Sequence, residues 1–394
     1  MSRQLTRRKT LVTLSGGAAA FLTAKQATAV SVSESALPEP TESSWASFRN
    51  GPAQRGVART QLAVMPELKW EVVSRDGWLA TCAIVGDHVY APALQGYLFC
   101  FDRETGAELW RYRTIESTDE KKFAPGFKAA PLVAGKAVYV GDEDGILHAV
   151  DRVSGEQLWT YATDAEIAGG VAVYQDKLLL ASHDAFLYCL TKQGGEHWTF
   201  ETNDRINCSP GVAEHFTFVS GCDEHLRVID LNSGKETRDV PMESYLIASP
   251  AIVDEMLYVG SQAGIVSGVN WKTGEIKWRY ENDRSMPYHA SASVTDDLVL
   301  VGSHDKKFHA IDRHSGKGRW TFLTKGRIEC SSAVVDSRVF FGSRDGNIYG
   351  LAIPDGKEVW KFNAGKSITA GVSIGEGCMV VGEDDHNGKL RCFA

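Results

Sequence analysis

A glycine followed four residues later by a tryptophan returns through this chain at a nearly constant interval. The glycines are Gly106, Gly155, Gly194, Gly234, Gly274, Gly316 and Gly356, at steps of 49, 39, 40, 40, 42 and 40 residues. Trp110, Trp159, Trp198, Trp278, Trp320 and Trp360 follow six of them, and Arg238 stands in the seventh place. Each unit reads as four short strands. In the copy from Ala248 to Tyr280, small residues open an apolar strand that ends at the polar turn Asp254-Glu255. Met256-Leu257-Tyr258-Val259 follows, rich in apolar and β-preferring residues. Turns at Gln262-Ala263-Gly264 and Trp271-Lys272-Thr273-Gly274 bound the third strand, and the fourth ends near Trp278. A period near 40 with four strands per unit is the pattern of β-propeller blades.

The ends of the chain complete the count. Leu68 to Val72 matches a fourth strand, with Trp70 in the tryptophan column, but no first three strands precede it. Ala370 to Phe393 supplies three strands and stops. Together they make one blade, so the sequence predicts an all-β, eight-bladed propeller of four-stranded antiparallel blades, closed by the N-terminal strand with no open sheet edge at the seam. The first-strand column, Ala80, Ala129, Gly169, Cys208, Ala248, Ala290, Cys330 and Ala370, is small throughout. Crowding of innermost strands around an axis requires this, and it carries no functional information. With 43% apolar residues the 394-residue chain has ample core for one large domain.

Ala310-Ile311-Asp312-Arg313-His314-Ser315-Gly316-Lys317-Gly318-Arg319-Trp320 resembles the tryptophan-docking motif of the PQQ-like (quinoprotein-type) propeller repeat family. Six other copies match in part. Asp102, Asp151, Asp230 and Asp312 fill its aspartate position, with Asn270 substituting. Thr105, Ser154, Ser233, Thr273 and Ser315 fill its hydroxyl position. These groups can hydrogen-bond the turn backbone. The segment from Trp45 to Pro52, with Arg55-Gly56-Val57, is similar to the lead-in motif of exported members. Read from the residues alone, it is two aromatics anchoring an irregular segment against the propeller. The resemblance covers about residues 63 to 394. It implies the eight-bladed fold and a relation to the BamB-like outer-membrane assembly propellers. It is weak for activity, because the motif holds blades together and performs no chemistry.

Residues 1–29 lie outside the repeat. Arg7-Arg8, the mildly apolar run Leu11 to Ala24, Lys25, and Ala27-Thr28-Ala29 resemble a twin-arginine signal cleaved after Ala29. An uncleaved basic tail is the other reading. The expected organisation is a signal over 1–29, a linker and lead-in segment over 30–62, and the propeller over 63–394. The predicted location is therefore exported, in the periplasm or cell envelope. No other stretch is long and apolar enough to span a membrane. The net charge is −8, and the leader holds five basic residues and no acids, so the remainder carries −13. That balance argues against nucleic acid and anionic membrane surfaces as partners.

The eight cysteines stand mostly where sister repeats place small residues. Cys208 and Cys330 share the column of Ala248 and Ala290; Cys100, Cys189 and Cys392 share that of Ala149 and Ala310. They read as small buried hydrophobes rather than disulfides. No C-x-x-C pair, G-x-S-x-G, P-loop or H-E-x-x-H is present.

The residue before each small column should ring one mouth of the channel: Leu79, Lys128, Ala168, Asn207, Ile247, His289, Glu329 and Thr369. Loops leading to it carry Arg75, Arg205, Arg284, Lys325, Arg327 and Lys366. A basic rim on an acidic protein suggests an anion or carboxylate site, with Lys128, Arg205, Asn207, Arg284, His289, Arg327 and Glu329 as candidate ligand-binding residues. Ordinary solvated loop charge is the competing reading. His183-Asp184, Cys222 to His225, His304-Asp305 and the acidic runs at Asp142 and Glu383 fall in turns spread one per blade. They are not expected to converge on a metal.

Two functions follow from the resemblance. The first is a non-catalytic scaffold, without cofactor or metal, that binds a protein partner or an acidic small ligand. The alternative is a PQQ-dependent quinoprotein oxidoreductase of the alcohol or sugar dehydrogenase type, holding pyrroloquinoline quinone with calcium. Members with that activity commonly carry long insertions, adjacent cysteines and an acidic calcium site. Here no two cysteines adjoin, the largest insertion runs from about Thr114 to Lys128, and the ring offers one acid, Glu329, and one amide, Asn207.

Overall fold

The computed structural model describes residues 39–394; the signal and most of the linker lie outside the described residues. Alternating short apolar strands separated by glycine-bearing turns give eight four-stranded antiparallel sheets. Seven are continuous in sequence: blades 1 to 7 occupy residues 83–113, 132–162, 172–201, 211–241, 251–281, 293–323 and 333–363. Blade 8 takes three strands from 373–393 and its fourth, β1 (Leu68–Ser74), from the start of the chain. Trp70 pairs with Cys392 and Ser74 with Gly388, so the ring closes as its sequence predicts.

The periodic tryptophans join neighbouring blades. The indole N–H of Trp70, Trp110, Trp159, Trp198, Trp278 and Trp320 donates to a backbone carbonyl in the next blade's last turn, at 2.8–3.2 Å. Trp360 donates to the Pro66 carbonyl at 3.1 Å, across the seam. The periodic glycine lies flat against that ring. A Cβ on Gly316 would meet Trp278 at 2.7 Å, and its φ of +70° is one that other residues adopt at a cost. Each docked indole contributes on the order of 2–3 kcal/mol through burial.

The same ring explains the small third-strand column. Cys100, Ala149, Cys189, Gly268, Ala310, Gly350 and Cys392 are the cross-strand partners of the tryptophans, next to a register shift in each sheet. All eight cysteines are free thiols; seven are buried and Cys222 is half-buried. Where Arg238 replaces tryptophan, its partner is the larger Val228. Trp271 from the following turn fills that interface, packing against Phe218 with centroids 5.2 Å apart. Its indole donates to the Asp254 carbonyl at 3.0 Å.

The lead-in segment does more than anchor two aromatics. It travels around the axis and caps the free edges of the innermost strands, which would otherwise expose unpaired amides. Trp45 and Ile84 exchange two backbone bonds of 2.8 Å. Ala46, Pro52, Ala53, Arg55 and Gly56 then accept, each at 2.8 Å, from Val133, Val212, Ile252, Val294 and Val334. Blades 1, 2, 4, 5, 6 and 7 are bound in turn, and Glu376 of blade 8 donates to the Ser43 carbonyl at 2.8 Å. Arg49 is fully buried here, donating to Ser293 Oγ at 2.8 Å and to the Ser332 carbonyl. Burial pushes its pKa down to about 9. Gln54 bonds the Ser209 and Pro210 carbonyls at 3.0 and 2.8 Å. One mouth of the channel is thereby closed.

Candidate functional site

At the other end the channel remains a funnel. The chain enters each blade through a rim residue, then a small residue, then a residue facing the axis. Serines take this last place in four consecutive blades and link them. Ser209, Ser249, Ser291 and Ser331 each accept, at Oγ, from the backbone N–H of the preceding blade at 2.7–3.0 Å. They line a cavity of about 150 Å³ whose floor is Phe48 of the lead-in segment. Seven of the eight predicted rim residues line it: Leu79, Lys128, Ala168, Asn207, Ile247, His289 and Thr369.

The eighth, Glu329, is drawn aside by a feature absent from the sequence reading. The first residue of the turn between second and third strands lies fifteen positions after the rim residue and stacks beside it. Lys128 meets Glu143 at 2.9 Å, Asn207 donates to Cys222 Sγ at 3.0 Å, and Thr369 donates to Asp384 at 2.7 Å. His289 meets His304 with ring centroids 4.2 Å apart, and Glu329 meets Arg344 at 2.7 Å. The turn residues, expected only not to converge on a metal, stand here against the rim. They form a second ring against the first, and blade neighbours cross-link it.

That second ring changes the charge of the rim. Lys128 is neutralised by Glu143 and by Glu166, at 2.9 and 3.1 Å. Arg75 is paired with Asp76 at 2.8 Å, and Lys366 is turned onto the His386 and Asn387 carbonyls. Arg205, Arg284, Lys325 and Arg327 are exposed and carry no ion pair among the described residues. The basic rim is therefore narrower than the sequence suggests, and three of the candidate arginines provide most of it.

A polar chain crosses blades 5, 6 and 7. Gln262 Oε1 lies 2.7 Å from His289 Nε2. His289 packs against His304, and His304 Nε2 lies 3.0 Å from Glu329 Oε1. The Arg344 guanidinium holds the Glu329 carboxylate at 2.7–2.8 Å. His304 is 8% exposed, and its Nε2 lacks an aligned hydrogen-bond partner among the described residues despite the nearby carboxylate. Burial, reinforced by His304, pushes the His289 pKa down to about 4. Burial alone would raise the Glu329 carboxyl, but His304 and Arg344 hold it at about 2.

These residues do not fit pyrroloquinoline quinone with calcium. Calcium takes six to eight oxygen ligands, whereas Glu329 is flanked by the nitrogens of His304 and Arg344. Asn207 stands three blades away and is committed to Cys222. The cavity of about 150 Å³ adjoins a hollow of about 470 Å³ that shares Leu79 and Lys128 with it.

A family model described as outer membrane protein assembly factor BamB matches residues 61–169, 143–293 and 284–385. Among solved structures, BamB from Moraxella catarrhalis superposes with a TM-score of 0.70 at 17% identity, covering 84% of this chain and 97% of that one. Quinohemoprotein alcohol dehydrogenase from Comamonas testosteroni gives 0.74 at 14% identity, covering 89% and 80%. A europium-containing methanol dehydrogenase gives 0.74 at 12%, covering 90% and 98%. At these identities the likeness is one of fold. Beta-alanine-activating enzyme from Homo sapiens is 25% identical over 99 residues, 23% of this chain and 9% of that protein. The chain thus spans about a tenth of the length of the curated relatives it matches.

Proposed function

The chain belongs to the family described as outer membrane protein assembly factor BamB, and from that premise we propose that it is an exported, non-catalytic scaffold whose open funnel mouth binds a protein partner or an acidic small ligand. The observation that carries this reading is the difference between the two mouths. Residues 43–58 close one of them. The other stays open beneath a rim where Arg205, Arg284 and Arg327 have no carboxylate partner among the described residues. A rigid ring with variable loops at one face suits binding, and free cations on an otherwise acidic body favour an acidic partner. Export is supported by Arg7-Arg8 and Ala27-Thr28-Ala29.

The test is affinity capture from the envelope of the native host, with bound proteins and small molecules identified by mass spectrometry. It is run with wild type and with Arg205→Ala/Arg284→Ala/Arg327→Ala. Exposed charges contribute roughly 0–1 kcal/mol each, so the triple variant should bind up to about 100-fold more weakly with an unchanged melting temperature. Its residual binding should be less sensitive to salt. Equal capture by both proteins refutes the rim as the binding face. Turnover of an alcohol or sugar after reconstitution with pyrroloquinoline quinone and calcium, abolished by Glu329→Ala, refutes the non-catalytic reading.

A further inference from the structure

We propose that His289, His304 and Glu329 form a binding site for a divalent transition metal, with Zn²⁺ the best match, on the funnel rim between blades 6 and 7. One ligand atom from each residue lies within 4.8 Å of the other two. Tetrahedral zinc with bonds of about 2.0–2.2 Å needs ligand atoms roughly 3.4 Å apart, which small side-chain rotations supply. Two imidazoles and one carboxylate are a ligand set that zinc accepts with a fourth position left over. The scarcity of oxygen donors selects against calcium and magnesium.

Three features separate this cluster from an ordinary ion pair. His304 is more than nine-tenths buried, and its Nε2, 3.0 Å from Glu329 Oε1, has no aligned hydrogen-bond partner among the described residues. Coordination would give that buried nitrogen and the Glu329 oxygen facing it one shared, directed partner. Next, the outer groups fix the ligands as metal sites require. Gln262 engages His289 Nε2 at 2.7 Å, which leaves the other ring nitrogen for a metal. Arg344 grips Glu329 Oε2, which leaves Oε1 facing His304. Finally, the ligands are held by rigid elements in two blades: His289 and Glu329 precede adjacent innermost strands, and His304 opens a tight turn. His289 lines the cavity, so the fourth position is within reach of a water or a carboxylate entering the funnel. The site would then add a directed Lewis-acidic contact to the diffuse charge of the arginines.

The full-length mature protein, stripped with chelator and dialysed, is titrated with ZnCl₂ by calorimetry and with CoCl₂ by visible absorption. The expected result is one Zn²⁺ per chain and a tetrahedral Co²⁺ spectrum that Zn²⁺ displaces. Gln262→Ala should weaken binding roughly 10–100-fold, and His304→Ala by more. Glu329→Gln, which keeps the side-chain shape, should also weaken binding and guards against a folding defect in the histidine variant. His183→Ala, at the equivalent turn of blade 3, should leave binding unchanged. Absence of saturable uptake by wild type overturns the proposal, as does undiminished uptake by both His304→Ala and Glu329→Gln. The triple arginine variant should bind Zn²⁺ at least as tightly as wild type, because it removes the Arg327 cation that acts on His289, so loss of partner binding and loss of metal binding are read separately.

Discussion

Substituting alanine for Gly316 tests whether docking of tryptophan against the next blade's turn holds this ring together. An added Cβ would lie 2.7 Å from Cγ and Cδ2 of Trp278 and 2.8 Å from its Cβ. Trp278 is 9% exposed and tied to Arg313 by its indole N–H at 2.9 Å, so the ring has little freedom to retreat. Two costs add. A non-glycine residue in the left-handed region costs about 1–2 kcal/mol, and overpacking a tight contact costs about 1–3 kcal/mol. Gly316→Ala should therefore destabilise by about 2–5 kcal/mol. Gly135→Ala is the control. Its φ is +59° and no heavy atom lies within 4 Å of the added Cβ, so only the strain of about 1–2 kcal/mol applies. Guanidinium unfolding of both variants, followed by tryptophan fluorescence and far-UV circular dichroism, measures the difference. In a Trp278→Ala background, itself costing about 3–5 kcal/mol, Gly316→Ala should fall back to the strain alone. Equal losses for Gly316→Ala and Gly135→Ala, or simple additivity with Trp278→Ala, would refute the docking argument.

Removing residues 30–75 strips β1 from blade 8 and the cap from six inner strands, so the truncated protein should aggregate and melt lower by light scattering and calorimetry. A monomer of unchanged melting temperature would contradict both roles. The Asp312 carboxyl is held below its ordinary value chiefly by the Ser315 hydroxyl, and Asp102 and Asp230 likewise by Thr105 and Ser233. A depressed folded pKa contributes stability that is present above the unfolded value near 3.8 and is lost as pH falls through the folded value. The triple variant Asp102→Asn/Asp230→Asn/Asp312→Asn should therefore lose stability at neutral pH and show a shallower decline below about pH 4. An acid limb identical to wild type would remove these turns from the account. N-terminal sequencing of the exported protein should begin at Val30, and an intact Met1 there would refute twin-arginine processing.

What the sequence discloses about this fold is what it repeats. Trp278, Gly316 and Ala310 sit in columns whose occupants meet the same neighbours in every blade, so seven copies act as an internal alignment. Even the exception is informative. Arg238, Val228 and Trp271 depart from their columns together because the three share one interface. The lead-in segment has no such support. Arg49, Gln54 and Phe48 occur once, in an irregular stretch, and nothing in their spacing states that they pack against four different blades. The serines at 209, 249, 291 and 331 were visible as a column with steps of 40, 42 and 40. They were concealed by the adjacent small column, which explains the crowding and draws attention from the hydrogen bonds beside it.

The rim obeys a different logic from the columns that carry the fold. Backbone geometry fixes that a rim residue and the residue fifteen later stand side by side in each blade, but no packing demand fixes what they are. Leu79 precedes Leu94, Ala168 precedes His183, Ile247 precedes Gln262 and His289 faces His304. Variation at these positions costs the ring little, because the docking tryptophans, the inner-strand caps and the serine belt all lie elsewhere. The spacing of fifteen is constant and could have been read from the sequence. Its meaning could not, since it requires knowing that a turn at the end of a second strand returns to the mouth where the first strand began. In an antiparallel pair it must: the second strand runs back toward the mouth at which the first one entered. Chemistry on this scaffold is therefore expected where such a pair departs from its sisters in kind. Blade 6, with histidine at both positions and a carboxylate next door in blade 7, is the departure best suited to hold a ligand.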